Sequence, residues 1–425
     1  MDEKNLALEA IRKKLIGKKL TYREIYAIMD QIAEDKLGDI LTTYFVASGY
    51  SEGFSDEELY FLTKAMVETG DKLRFPGIVA DKHSIGGVPG TKVTLILVPI
   101  IAAAGFKIPK SSSRAITTPA GTADVMEVLA EVSFTEEQIY KIVKKTQGCI
   151  VWGGSIDIAP ADDEIIKIEE PLVFESYDKI LVSVMAKKVA FGSTHVVIDL
   201  PYGRSVKLNK LEEAETLGKK FEFLGRKFKI KVKTLIHKID EPAGSGIGPL
   251  LEARDALLVL EQAETRPMEL EELALNTSSV LLELCLEDAS KNVRSEFKKK
   301  YKNTNEWAKD ILSSGAAHKK FKEIVKAQNG DPDIKSSGLK PANFCSTIKA
   351  DLKGRLTHID SKNLTIIAKI LGAPSKKRSG LYLHKRIGDE IKPGDNIVSL
   401  YAEREHDLRE ALDTLNLSPI FEIEK

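Results

Sequence analysis

The sequence predicts an α/β protein, and its texture along the chain carries that prediction. From Gly77 onward, short β-branched runs alternate with helical patterns, which implies a parallel or mixed sheet covered by helices. Residues 1–70 show helical periodicity only. After Ala350 the pattern changes to short strands separated by turn signals, Gly372-Ala-Pro374, Gly388-Asp389 and Lys392-Pro-Gly-Asp395.

The elements follow in order. Thr21-Tyr-Arg-Glu24 is a capping box followed by Ile25, Ile28, Met29 and Ile32 on one face. Ser55-Asp-Glu-Glu58 is another, followed by Leu59, Leu62 and Met66. Ile78–Ala80 reads as a strand. Val93 to Ala104 is a buried helix beginning near Thr91. Phe106–Pro109 leads into a Ser/Thr-rich loop, 111–118, and Thr122–Leu129 is helical. Thr135-Glu-Glu-Gln138 caps a helix ending at Gly148. Cys149–Trp152, His195–Leu200 and Lys231–Ile236 are strands, and Glu212–Phe228 is an amphipathic helix. The helical stretch Tyr177–Phe191 interrupts this rhythm and can return to the N-terminal helical unit. Leu250–Leu260 and Pro267–Leu286 are helices, the second with proline at the favoured first position. Ala327–Leu339, with Gly, Asp-Pro and Ser-Ser, reads as a linker.

Bulk properties exclude several classes. The 63 basic residues balance 63 acidic ones, so no overall field draws the chain to nucleic acid. The charged N-terminus has no apolar core behind it and is not a signal peptide. The apolar run Leu95–Phe106 is too short to span a bilayer. Cys149, Cys285 and Cys345 lie far apart, without metal-ligand spacing, and read as buried small hydrophobes in a reducing compartment. The expectation is a cytoplasmic protein with no metal.

The chemistry concentrates in a few stretches. Asp81-Lys-His-Ser-Ile-Gly-Gly-Val-Pro-Gly-Thr-Lys-Val-Thr94 brings a cation, an imidazole, a hydroxyl and glycines together between a strand and a helix. Such a turn suits an anion, because glycine lets backbone N–H groups approach it and the helix dipole favours negative charge. It is not a Walker loop, since no Lys-Ser/Thr follows the glycines. Lys110-Ser-Ser-Ser-Arg114 through Gly121-Thr122 combines hydroxyls, a guanidinium and a helix start, which suits a second anion or a sugar phosphate. Ser183 and Lys187 share one helical face. Asp178 and Glu175 precede them and offer a carboxyl for general acid work. Gly244-Ser-Gly-Ile-Gly248 lacks the rest of a dinucleotide fingerprint and reads as a structural turn.

Taken together these segments resemble the second structural family of nucleoside phosphorylases, which includes thymidine and pyrimidine-nucleoside phosphorylases and the archaeal-type AMP phosphorylases. The AMP phosphorylases are the better match. The resemblance rests on Asp81–Gly90, Ser112–Leu129, Val151-Trp-Gly-Gly154, Ala159-Pro-Ala-Asp-Asp163, Ser183–Lys188 and Gly380-Leu-Tyr-Leu-His384, with Gly388-Asp389 and Pro393-Gly-Asp395, and covers nearly the whole chain. It implies a small α domain, 1–70, completed by an inserted helix at about 158–190. It also implies an α/β phosphate-binding domain, 71–157 and 191–335, and a C-terminal α+β domain, 336–425. The active site would be a cleft between the first two.

The resemblance also implies roles. Lys82, Ser84, Gly86, Gly87, Thr94 and Thr122 fall on phosphate-binding positions, and His83 on the active-site histidine. Ser183 and Lys187 fall on base-binding positions. Gly87, Ser113, Arg114, Ala115, Ile116, Thr117, Thr118, Thr122 and Lys207 fall on nucleotide-contacting ones. Glu175 stands where AMP phosphorylases carry an aspartate that protonates the leaving base. The arginine with which pyrimidine members hold a base carbonyl is missing, its nearest positions being Ile168 and Glu169. The turn Gly203-Arg-Ser-Val-Lys207 departs from the family's small-residue turn, and the sequence begins at the helices, without the extra N-terminal domain AMP phosphorylases usually carry.

The implied activity is reversible phosphorolysis of nucleoside 5′-monophosphates by a homodimer, with inorganic phosphate as co-substrate and no cofactor. The rival activities are a pyrimidine-nucleoside or thymidine phosphorylase, an anthranilate-type phosphoribosyltransferase, and a non-catalytic nucleotide binder.

Overall fold

The computed structural model describes residues 3–115, 118–169 and 176–424. The chain opens with helices α1 (Glu3–Leu15), α2 (Tyr22–Ala33), α3 (Asp39–Glu52) and α4 (Asp56–Glu68), then strand β1 (Ala80–Ser84) and helix α5 (Val93–Ala103). Next come β2 (Ile108–Ser112), α6 (Thr122–Met126), α7 (Glu136–Thr146), β3 (Gly148–Trp152), α8 (Pro160–Glu169) and α9 (Tyr177–Ala190). β4 (His195–Tyr202), α10 (Leu211–Phe228), β5 (Lys231–Lys238), β6 (Gly246–Ile247), α11 (Pro249–Leu260) and α12 (Met268–Asp288) follow. Then come α13 (Lys291–Lys300), α14 (Thr304–Ser313) and α15 (Ala316–Ala327). The C-terminal part holds β7 (Phe344–Lys349), β8 (Gly354–Ile359), α16 (Ser361–Ile370), β9 (Gly380–Leu383), β10 (Glu390–Ile391), β11 (Asn396–Ala402), α17 (Glu405–Leu417) and β12 (Phe421–Glu424).

Contacts divide the chain into one unit of residues 1–83, 153–198 and 215–234 and another of 84–152, 199–214 and 235–425. Strands β1, β4 and β5 form one sheet in that order.

In the first unit the capping boxes form as read. Thr21 accepts from the Glu24 amide and Ser55 from the Glu58 amide, and each glutamate reaches back to its cap. Glu58 does more. It accepts from Lys14 Nζ and the Leu20 amide, each at 3.0 Å, tying α1 to α4 through a buried ion pair. Helix α4 also packs on α9, so the inserted helix returns to the N-terminal bundle.

In the second unit α5 is buried from Val93 to Ala102 on every side, as its unbroken apolar sequence requires. It packs against α11, α12, α14 and α15 and against the parallel pair β2–β3. Each such buried Leu, Ile or Val side chain contributes about 1.5–3 kcal/mol. The C-terminal residues form two antiparallel sheets, ordered β6-β9-β11-β7 and β10-β8-β12, around a core that includes Leu356, Leu364, Leu381 and Leu400.

Several expectations change. The first strand is not Ile78–Ala80 but runs from Ala80 through Ser84, so Lys82-His83-Ser84 is strand rather than turn. Residues 291–327, unread in the sequence, form α13, α14 and α15. Pro267 is the cap of α12, not its first residue.

The expected linker is pinned. Gln328, fully buried, accepts from the Ile150 amide at 2.9 Å and donates to the carbonyls of Ile150 (2.8 Å) and Glu131 (2.7 Å). Ser336 donates to the Glu261 carboxylate. Cys345 is exposed rather than buried, because β7 is an edge strand, whereas Cys149 and Cys285 are buried. Among the described residues no helix is long and apolar enough to cross a membrane.

Candidate functional site

Strand β1 carries Asp81, Lys82, His83 and Ser84 in succession. Asp81 faces inward and is committed to the fold. It pairs with Lys188 Nζ at 2.6 Å, both side chains 1% exposed, and also accepts from Ser193 Oγ (3.2 Å) and the Lys82 amide (2.7 Å). The sequence groups Asp81 with its neighbours, but its buried pairing with Lys188 makes it an anchor. Lys82 is buried, His83 partly buried and Ser84 exposed.

Within the second unit, Ser84 Oγ donates to Asp199 Oδ2 at 2.7 Å. His237 Nε2 meets the other carboxylate oxygen at 2.8 Å. Neither Asp199 nor His237 stands out in the sequence as a candidate, since Asp199 lies within an apolar run and His237 is one of several polar residues in its strand. The backbone supplies the link after β1. Gly87 adopts φ +61°, and a Cβ there would come within 3.3 Å of Lys207 Cγ. The Lys207 amide donates to the Gly86 carbonyl at 3.3 Å, so Lys207 is held beside the loop despite its unusual turn. Thr94 is buried near the start of α5. Its neighbour Lys92 pairs with buried Glu252 at 2.9 Å.

Ser113, Ala115, Gly121 and Asp124 brace one another. Asp124 accepts from the amides of Ala115 (2.7 Å) and Gly121 (2.9 Å), and Ser113 accepts from the Ala123 amide at 3.2 Å. A Cβ on Gly121 would fall 2.4 Å from the Ser113 carbonyl oxygen, so this approach requires glycine. Arg114 makes a fork to Glu127, at 2.7 and 2.5 Å, and lies over Trp152 at 4.7 Å. That fork, with Lys377 at 2.9 Å, holds the Glu127 carboxyl below its ordinary range. Lys377 also reaches Asp124 at 3.2 Å. Thr118 donates to the Ala120 carbonyl, and Thr122 starts α6, which is shorter than the expected Thr122–Leu129. Ile116 and Thr117 lie outside the described residues.

Within the first unit, α8 and α9 bring Asp162 to Ser183 and Lys187. Asp162 Oδ2 accepts from Ser183 Oγ and meets Lys187 Nζ, each at 2.7 Å, while Lys187 and Ser183 stand 3.5 Å apart. Burial pushes the Asp162 carboxyl up, but the charges of Lys187 and Lys179 outweigh it and hold the group below its ordinary value. Ser183 spends its proton on Asp162 and keeps lone pairs to accept. An acceptor beside an ammonium donor suits the edge of a heteroaromatic base. Asp162 lies in the quoted Ala159–Asp163 motif, but no periodicity singles it out. Asp178 pairs with Lys220 at 2.6 Å, and Glu175 lies outside the described residues.

The Gly244–Gly248 turn binds the protein's own carboxylates. Asp255 accepts from the amides of Ser245 and Gly246, each at 2.7 Å, and Glu252 from that of Gly248 at 3.0 Å. Burial pushes the Asp255 carboxyl from 3.8 up to about 6, against the pull of those amides. A folded-state pKa above the unfolded one means the native protein takes up this proton first as pH falls. The Asp255 contribution to stability therefore rises as pH drops from about 6 to about 4. The stability of the parent relative to Asp255→Asn is expected to increase over that window, read from urea midpoints at about pH 7 and about pH 4.5. A difference independent of pH would refute the assignment.

Comparison with known proteins matches three families along the chain. Residues 8–70 match the family described as "Glycosyl transferase family, helical bundle domain", and 77–318 its "a/b domain". Residues 355–418 match "Pyrimidine nucleoside phosphorylase C-terminal domain". The AMP phosphorylase of Methanocaldococcus jannaschii is 41% identical over 410 residues, 96% of this chain and 79% of that one. That of Thermofilum pendens is 42% identical over 397 residues, 93% and 74% of the respective chains.

Among solved structures, the anthranilate phosphoribosyltransferase from Thermus thermophilus superposes with a TM-score of 0.59 at 16% identity, over 76% of this chain and 99% of its own. The Saccharomyces cerevisiae enzyme gives 0.58 at 14%, over 76% and 98%. Those likenesses show the fold alone. The relatives that match along nearly the whole sequence show the narrower kinship, and the chain belongs to the AMP phosphorylase family, built on the glycosyl transferase helical bundle and a/b domain.

Proposed function

We propose that the protein catalyses reversible phosphorolysis of nucleoside 5′-monophosphates, AMP first and CMP and UMP with it. The products are the free base and ribose 1,5-bisphosphate, in nucleotide degradation. The observation that carries the reading is the match to AMP phosphorylases along nearly the whole chain, with Lys82-His83-Ser84 inside the matched a/b domain.

Inorganic phosphate, held by Lys82, Ser84, Gly86, Gly87, Thr94 and Thr122, attacks C1′ of the ribose from the face opposite the base. Positive charge develops on the sugar, and the phosphate dianion stabilises it. Glu175 protonates the departing base, at N7 of a purine. His83 positions phosphate and sugar. Ser183 and Lys187, both anchored on Asp162, present an acceptor and a donor to the base. The loop 113–118, Lys207 and Gly87 receive the nucleotide. Arg114 is already forked to Glu127, so binding a phosphate there requires it to share or exchange that partner.

No cofactor or metal is needed, and the setting is cytoplasmic. The working form is a homodimer through the helical unit, where Ile16, Ile40 and Tyr44 are exposed.

A substrate panel tests the reading. AMP, CMP, UMP, adenosine, uridine and thymidine are each incubated with phosphate, and products are identified by mass. Turnover of AMP to adenine and a bisphosphorylated ribose is expected. Turnover of nucleosides but not nucleotides would replace this reading with a nucleoside phosphorylase.

A further inference from the structure

Phosphorolysis moves a proton as well as a sugar. Phosphate enters as HPO4²⁻, one of its oxygens bonds to C1′, and the C1′–N electron pair leaves with the base. The sugar phosphate departs without the proton phosphate brought, and the base departs with one it lacked. One proton must therefore leave phosphate and another must reach the base. A general acid such as Glu175 accounts for the second transfer only.

We propose that Ser84 and Asp199 form the route by which the proton leaves phosphate, and that His237 holds Asp199 in place for it. The inference rests on the role given to Ser84 at the phosphate. These residues come from neighbouring strands β1, β4 and β5, in one row across the sheet. An ionised carboxylate only accepts, so Ser84 donates to Asp199 Oδ2, at 2.7 Å. With its proton so directed, Ser84 Oγ meets phosphate as an acceptor, and the complementary group on HPO4²⁻ is P–O–H.

As the C1′–O bond forms, the P–O–H proton passes to Ser84 Oγ and the serine proton passes to Asp199 Oδ2. Asp199 gains one proton, phosphate loses one, and Ser84 ends unchanged. The base takes its proton from Glu175. After product leaves, Asp199 returns its proton through Ser84, which is exposed.

His237 Nε2 donates to the second oxygen, Oδ1, at 2.8 Å, fixing the carboxylate so that Oδ2 faces the serine. The order Ser–Asp–His, with the carboxylate in the middle, distinguishes this row from a hydrolase triad. There the imidazole touches the serine. Asp199 is buried, which keeps water from bypassing the serine.

Single-turnover phosphorolysis of AMP at saturating phosphate tests the route without interference from product release. Asp199→Asn preserves shape but cannot take a proton, and Ser84→Ala removes the bridge. Each is expected to slow the chemical step roughly 100-fold or more. The double variant is expected to fall no further, because the two act as one unit. In mixtures of H2O and D2O the parent rate should follow a curved dependence, as expected for protons moving together, and the residual rate of Asp199→Asn a linear one. His237→Gln, which retains a donor, should recover most of what His237→Ala loses. Thermal melts establish that each variant is folded.

Full single-turnover rate in Asp199→Asn, or losses that multiply in the double variant, would overturn the route. So would a defect confined to the KM for phosphate, since that would make Asp199 a packing residue. If the parent itself releases no base from AMP with phosphate, the failure belongs to the functional reading instead.

Discussion

Replacing Lys188 with alanine is expected to destabilise the protein by about 3–5 kcal/mol, the cost of leaving a buried charge without its partner. Lys188 Nζ stands 2.6 Å from Asp81 Oδ2, and neither side chain has more than 1% of its surface exposed. Without the ammonium, the Asp81 carboxylate loses its 2.6 Å charged partner, while Ser193 Oγ at 3.2 Å and the Lys82 amide at 2.7 Å are weaker neutral donors. An exposed pair of the same kind would contribute about 0–1 kcal/mol, so burial decides the size of the effect.

The pair also seats strand β1 one residue before Lys82, so the variant should lose phosphate affinity along with stability. Urea denaturation reads the first effect and the phosphate KM the second. Lys188→Met combined with Asp81→Asn removes both charges and should recover much of the lost stability. A Lys188→Ala variant that melts within about 1 kcal/mol of the parent would show that water reaches this pair.

The other large effect concerns the leaving group. Glu175→Gln should lower AMP phosphorolysis by about 10²–10⁴-fold, the range for loss of a general acid. The amide preserves size and polarity but has no proton to give. The loss should depend on the base. A purine nucleotide methylated at N7 already carries positive charge on the ring and leaves without protonation. On such a substrate Glu175→Gln should turn over nearly as fast as the parent. An equal loss on both substrates would mean that Glu175 acts through binding or structure. Undiminished activity on AMP would move the acid elsewhere in the chain.

Local pattern made much of the fold legible. The capping boxes at Thr21, Ser55 and Thr135 need only a hydroxyl and a carboxyl or amide three residues apart, and all form as written. The apolar run from Val93 predicts a helix buried on all sides, because no polar stripe is left to face water. Motif order likewise made the family legible. The misreadings occur where distant residues decide the outcome. Ala327–Leu339 has the composition of a linker, yet Gln328 ties it to Ile150 and Glu131. Cys345 reads as a buried small hydrophobe but lies exposed in an edge strand.

The candidate site divides along the same line. Lys82, His83, Ser84 and Arg114 can be named from the sequence, because each sits in a compact run whose residue types suggest anion binding, and Ser183 and Lys187 because their run resembles the family's base-binding positions. The groups that aim them cannot. Asp162, Asp199, His237, Glu127 and Lys188 lie 13 to 115 positions from the residues they hold. A carboxylate's partner is set by which strands lie side by side and which helices pack, and those long-range pairings leave no period in the chain. The sequence by itself thus determined the family, much of the element order and the residue types gathered at Asp81–Thr94. Only the tertiary structure decided that Asp81 is an anchor, that Arg114 is already paired, and that the Ser84 hydroxyl points its proton at Asp199.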